Sequence, residues 1–261
     1  MEMEKEIIQV AKRAAEIMLE AKDVFVAAEK GSPRNIVTRY DIRIQEYLAA
    51  ELGKLVPDAV FIGEETGLNG VDLGGRFFIV DPIDGTSNFS KGSKRSCVSI
   101  AYGEAGSVVC GVVCDPYLDE VFSATVNEGS RLNGLPINSM DNPLEHSIVC
   151  FGTCPYDLER TDVVFEAAKE VFKRSLDLRR TGSAALEICY TALNRYDAFF
   201  EYILYPWDYA AASLIVSEAG GVAVNMDGNS ISLARRDSVV TGAPTAVAEI
   251  LEIVCREVKG L

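Results

Sequence analysis

Apolar residues recur near the start of the chain at Ile7, Val10, Ala11, Ala14, Ile17, Met18, Ala21, Val24 and Phe25, with charged residues between them. That spacing predicts an amphipathic helix within residues 4–30, broken by Gly31-Ser32-Pro33. A second helix is predicted from Thr38 through Ile44, Tyr47, Leu48 and Leu52 to Gly53. Shorter runs follow. Val60-Phe61-Ile62 reads as a strand, and Phe77-Phe78-Ile79-Val80 as a strand buried on both faces and stopped by Asp81-Pro82. Apolar stretches at 98–101, 108–113 and 121–124, separated by turn residues, predict an antiparallel meander. Residues 129–136 read as turns. Beyond 147 the pattern alternates: strands at 147–150, 176–178, 198–200 and 222–224, and helices at 163–174, 182–194, 207–218 and 244–258. The fold class is α/β (α+β). Residues 1–140 are expected to form an N-terminal α+β domain and 141–261 a C-terminal α/β domain that completes the site.

Charge narrows the function. The 261 residues carry a net charge of −14, which disfavours nucleic acid and anionic membranes as partners. No apolar run is long enough to cross a bilayer, and the acidic start Met1–Glu6 lacks the character of a secretory signal, so the chain reads as cytoplasmic. The seven cysteines are an odd number with mostly apolar neighbours, which suits reduced core thiols. The C-x3-C pairs Cys110/Cys114 and Cys150/Cys154 are a weak zinc signal. With His146 as the single histidine, a multi-histidine metal site is excluded and a Ser-His-Asp hydrolase is disfavoured.

Carboxylates carry the remaining chemistry. In Asp81-Pro82-Ile83-Asp84-Gly85-Thr86, a buried strand delivers Asp81, and a tight turn can aim Asp84 at the same point. Gly85 and Thr86 offer backbone N–H groups to a phosphate oxygen. Hard cations such as Mg²⁺ take such carboxylates together with substrate phosphate and water. On these residues alone, an Asx-turn with Asp84 capping a helix competes evenly. Glu64-Glu65 follows another strand and could face Asp81 or solvent. Asp208 reads as a helix N-cap or a metal ligand, and Asp41 as a partner of a helix dipole.

Gly63-Glu64-Glu65, Asp81-Pro-Ile-Asp84-Gly-Thr86-Ser-Asn-Phe89 and Trp207-Asp208 through Gly220-Gly221, in that order, resemble the inositol monophosphatase family of lithium-sensitive, Mg²⁺-dependent phosphatases. The resemblance implies a layered αβαβα sandwich, a homodimer, and two or three Mg²⁺ per subunit held by Glu64, Asp81, the Ile83 carbonyl, Asp84 and Asp208. It implies catalytic roles for Glu64, Thr86, Asp41 and Asp84. Substrate contacts would come from Asp84, Gly85, Thr86, Arg180, Gly182, Ser183, Ala184, Glu201 and Asp208, with Glu65 and Lys30 in support. The short Ser90-Lys91-Gly92-Ser93 stretch looks like the archaeal branch, whose members act on inositol monophosphate and fructose 1,6-bisphosphate. Lys91, Lys94 and Arg95 could then meet a second phosphate or simply face solvent. The implied chemistry is attack of metal-activated water on a small phosphorylated sugar or polyol, with Li⁺ as an inhibitor. Rival readings are a phosphatase of histidinol phosphate, of a nucleotide 3',5'-bisphosphate or of a sugar monophosphate, and a non-catalytic metal- or phosphate-binding regulator on the same fold.

Overall fold

A computed structural model describes residues 2–21, 26–32, 35–68 and 70–259. Helix α1 (Glu2–Leu19) buries Ile7, Val10, Ala11, Ala14, Ile17 and Met18 on one face, as their spacing requires. The predicted helix does not continue to residue 30. Val24 and Phe25 lie outside the described residues, and Val26–Ser32 form strand β1, antiparallel to β2 (Asn35–Thr38). Cross-strand pairing supplies there the backbone partners that a helix would have found within itself, and so overrides local propensity. Helix α2 (Arg39–Leu55) starts at a capping box: the Thr38 hydroxyl accepts the Asp41 N–H while the Asp41 carboxylate accepts the Thr38 N–H.

The first sheet has the order β3-β4-β5-β6-β7-β8-β9, with β3 (Val60–Gly63) parallel to β4 (Arg76–Asp84) and the remaining pairs antiparallel. Strands β5 (Cys97–Glu104), β6 (Ser107–Asp115) and β7 (Glu120–Thr125) are the expected meander. Two details differ from expectation. Pro82 does not stop β4. The ladder pairs Asp81 with Ser99 and Asp84 with Cys97, so three steps on β4 face two on β5, and Pro82 sits in the bulge where no ladder N–H is required. The stretch read as turns is a hairpin of β8 (Ser130–Leu132) and β9 (Leu135–Ile137). Its loop, Asn133-Gly134, has positive φ at both residues (50° and 78°), as a tight hairpin turn demands.

The second sheet is ordered β11-β10-β12-β14-β13. Its strands are β10 (Ile148–Phe151), β11 (Asp177–Arg179), β12 (Ala198–Leu204), β13 (Val222–Val224) and β14 (Asp237–Gly242). Strand β14 went unpredicted because Asp237-Ser238 and Thr241-Gly242 leave only Val239-Val240 as an apolar signal. Helices α4 (Thr161–Phe172), α5 (Ala184–Ala192), α6 (Pro206–Glu218) and α7 (Pro244–Lys259) complete the second half.

Side-chain alternation on the strands defines the layers. Phe78 and Val80 of β4 pack with α1 and α2, whereas Phe77 and Ile79 pack with α5 and α6. Phe199 of β12 joins that same middle core, and Ala198 and Phe200 face α4 and α7. The result is an αβαβα sandwich with α5 and α6 buried between the sheets. The six cysteines with described side chains are buried and unpaired.

Candidate active site

The two middle-layer helices begin where β3 and β4 end, and the carboxylates gather at that junction. A cavity of about 380 Å³ opens there, with Glu64, Asp81, Ile83, Asp84, Thr86 and Asp208 among its lining residues. Oxygens of Asp81, Asp84 and Asp208 lie within 4.8 Å of one another. Glu64, directly after β3, lines the same cavity outside that tight trio.

Each carboxylate is aimed by its element. The Asp81 Oδ1 accepts the Ile83 N–H at 2.9 Å, which ties it to the bulge. The Asp84 Oδ2 accepts the Ala185 N–H at the start of α5 (2.8 Å) and the Ser183 hydroxyl, with the Cys97 thiol 3.8 Å away. Asp208 is the third residue of α6 rather than its N-cap; its Oδ2 accepts the Tyr205 N–H at 2.7 Å, because Pro206 occupies the first helical position and shifts the cap back to Tyr205. The Thr86 hydroxyl donates to Asp41 Oδ1 (3.0 Å) or to the Ile83 carbonyl (3.1 Å).

Crowding sets the electrostatics. Burial, followed by repulsion from Glu64, Asp84 and Asp208, pushes the Asp81 carboxyl well above its ordinary value. Burial and then Asp84 do the same to Asp208. Burial raises Asp84 as well, against the pull of Ser183 and the α5 amides. Burial likewise raises Asp41, opposed by its bonds to Thr38 and Thr86. Among the described residues that line the cavity, Arg180 is the only cation. An oxygen-only set of buried, mutually repelling carboxylates fits a hard divalent cation, whose charge would lower all of these values together.

The other sequence-predicted residues divide into two groups. Gly85, Gly182, Ala184, Glu201 and Arg180 line the cavity with the carboxylates. Gly85 has φ +87°, and a Cβ there would lie 2.8 Å from the Arg95 carbonyl oxygen, so glycine alone suits the turn. Ser183 is fully buried beneath Asp84 instead of facing the cavity. The Glu65 N–H donates to Gln45 Oε1 (3.0 Å), behind the lining. Lys91, Lys94 and Arg95 are exposed and do not line the cavity, and the Lys30 side chain lies outside the described residues. His146 sits exposed beside Glu145, away from the carboxylates. The C-x3-C pairs contribute nothing to the carboxylate cluster.

Sequence reasoning missed Glu187, Asn88 and Gly152, all of which line the cavity. Gly152 makes room for Glu201: a Cβ there would lie 1.8 Å from the Glu201 carboxyl carbon. Glu187 did leave a signal, as a lone carboxylate in α5, all nine residues of which are buried.

A buried carboxylate cluster at the meeting of two sheets and two helix starts offers an all-oxygen ligand set of the kind that can hold a hard cation. The chain belongs to the inositol monophosphatase family, whose profile matches residues 1–259. The Nus factor SuhB of Escherichia coli strain K12 is 34% identical over 250 residues, covering 94% of this chain and 92% of that protein. The Thermotoga maritima IMPase superposes with a TM-score of 0.87 at 28% identity, covering 100% of this chain and 99% of its own. Staphylococcal IMPase-II, solved with inositol monophosphate bound, has a TM-score of 0.82 at 26% identity, covering 97% and 93%. It has also been solved with 2'AMP bound.

Proposed function

We propose that the protein is an Mg²⁺-dependent phosphomonoester hydrolase acting on inositol monophosphate and on fructose 1,6-bisphosphate. The observation that carries this reading is the trio Asp81, Asp84 and Asp208 beside a Thr86 hydroxyl already bonded to Asp41. Glu64, Asp81, the Ile83 carbonyl, Asp84 and Asp208 would hold two or three Mg²⁺. Bound Mg²⁺ supplies Lewis acidity that neutralises the phosphate and makes water acidic enough to attack it in line. The chain's own residues do the rest. Thr86 donates a hydrogen bond to Asp41 Oδ1, which leaves its oxygen lone pairs free to accept a hydrogen bond from the attacking water; Glu64 is the carboxylate that takes the water's other proton, and the leaving oxygen takes one up from solvent. The Gly85 and Thr86 amides receive charge from the phosphoryl oxygens. Arg180, Gly182 and Ala184 frame the leaving group, and Glu201 accepts from one of its hydroxyls. The protein would work as a soluble cytoplasmic homodimer inhibited by Li⁺.

A panel of inositol 1-phosphate, fructose 1,6-bisphosphate, histidinol phosphate and 2'-AMP, each with Mg²⁺ and with or without Li⁺, tests the substrate assignment. Release of phosphate fastest from the first two supports it. A strong preference for either of the others replaces the substrate and leaves the chemistry standing. A second reading, a regulatory role alongside or instead of catalysis, has one specific support: the curated relatives carry the name Nus factor. Retention of Glu64, Asp81, Asp84 and Asp208 favours the enzyme.

A further inference from the structure

The turn that carries Arg180 and Gly182 is held from both sides. Asn88 of α3 (Thr86–Lys91) donates its side-chain N–H to the Thr181 carbonyl at 2.8 Å. From the opposite side, a single oxygen of Glu187, Oε1, accepts both the Thr181 N–H and the Gly182 N–H, the latter at 3.2 Å. Glu187 is only 2% exposed, in a helix that is otherwise apolar apart from Thr191 and the phenol of Tyr190. Burying a carboxylate is costly unless its hydrogen bonds are made, and this one makes them to the cavity-facing turn rather than to its own helix. Gly182 has φ +90° and approaches closely on two sides: a Cβ there would lie 3.0 Å from the Arg180 guanidinium and 3.2 Å from the Asn88 amide. The Arg180 Nε in turn donates to the Thr153 hydroxyl at 3.2 Å. Gly182 also abuts the Asp84–Thr86 loop, since its carbonyl oxygen lies 3.3 Å from where a Gly85 Cβ would be.

We propose that Glu187 is a positioning residue for substrate recognition: by tying the Thr181 and Gly182 amides, it fixes Arg180 toward the substrate in the cavity. The proposal rests on the phosphatase reading above. It concerns the leaving-group side of the site and predicts an effect on substrate affinity without one on metal binding. The groups facing Glu187 are Arg180 from the turn, Glu201 from β12, Cys150 from β10 and Tyr196 after α5. None of them takes over its bonds to the two amides.

The test compares Glu187→Gln, which keeps an acceptor oxygen at the same reach, with Glu187→Met, which fills similar space without one. Steady-state kinetics use inositol 1-phosphate and saturating Mg²⁺, and calorimetry measures Mg²⁺ affinity. The Met variant is expected to raise KM about ten-fold with little change in kcat, while the Gln variant stays near the parent. Mg²⁺ affinity should be unchanged in both. Arg180→Ala combined with Glu187→Met should cost no more than Arg180→Ala alone, because both act through the same guanidinium. If the Met variant does not fold, Glu187→Asp, one methylene too short to reach both amides, carries the same comparison. An unchanged KM in the acceptor-deficient variant, or an effect that adds to that of Arg180→Ala, overturns the proposal. Failure of the parent protein to release phosphate from any of the four panel substrates with Mg²⁺ instead overturns the phosphatase reading.

Discussion

At the scale of single residues, the site is a balance between charge repulsion and backbone hydrogen bonds. Thr86 has one proton and two acceptors within reach, Asp41 Oδ1 and the Ile83 carbonyl. Thr86→Val should leave KM nearly unchanged and lower kcat about 10²-fold, the cost of misplacing a reacting group, as measured by phosphate release. Glu201 makes a second prediction, through pH. Burial pushes its carboxyl up to about 8, against the pull of the Cys154 N–H. The folded protein therefore binds a proton here that the unfolded chain has already released, between the ordinary carboxylate value of about 4.3 and the folded value. The raised value means that stability falls as pH rises through that window. Glu201→Gln should remove up to about 1.4 kcal/mol per pH unit of this slope, read from urea denaturation of metal-free protein at several pH values. The gathering of Asp81, Asp84 and Asp208 was legible because the motifs of the family resemblance mark them. Glu187 was not, because its role depends on a turn five residues upstream that only the folded chain brings over its carboxylate.

At the scale of elements, long periodic segments were readable, as were the short apolar runs of β3, β10, β11 and β13, while other short strands were not. α2 and the β5–β7 meander follow from their apolar spacing, as does α1 up to Leu19, whereas α6 follows from an Ala-rich run closed by Gly220-Gly221. β1, β8, β9 and β14 escaped because their partners, not their own patterns, make them strands. The same holds for β4, whose passage through Pro82 depends on a bulge against β5. The contact of α6 with the first sheet shows how closely the elements fit. Gly111 of β6 lies under α6, where a Cβ would be 2.6 Å from the Ala211 carbonyl oxygen and 3.1 Å from its Cα. Both neighbours are backbone and cannot swing aside. Gly111→Ala should therefore destabilise the fold by about 1–3 kcal/mol, seen as a lower urea midpoint with an unchanged slope. Since α6 also carries Asp208, this variant should weaken Mg²⁺ binding as well.

At the scale of the whole molecule, a chain of charge −14 concentrates part of its repulsion in one buried cluster. A cation that binds only the folded cluster should stabilise the protein by mass action, by about 2.7 kcal/mol at a hundred times its dissociation constant. Thermal denaturation with and without Mg²⁺ checks this, and Na⁺ at matched ionic strength should not substitute. The overall αβαβα architecture was legible through the family resemblance, whereas periodicity alone reached only the α/β class. The most direct measurement is phosphate release from inositol 1-phosphate across a Mg²⁺ titration, for the parent protein and for Asp84→Asn. The expected result is turnover that requires Mg²⁺ and falls to a few percent or less in Asp84→Asn, with the fold intact by circular dichroism. Turnover without added divalent metal in the presence of chelator, or an Asp84→Asn variant that keeps most of its activity, would contradict the assignment of these carboxylates.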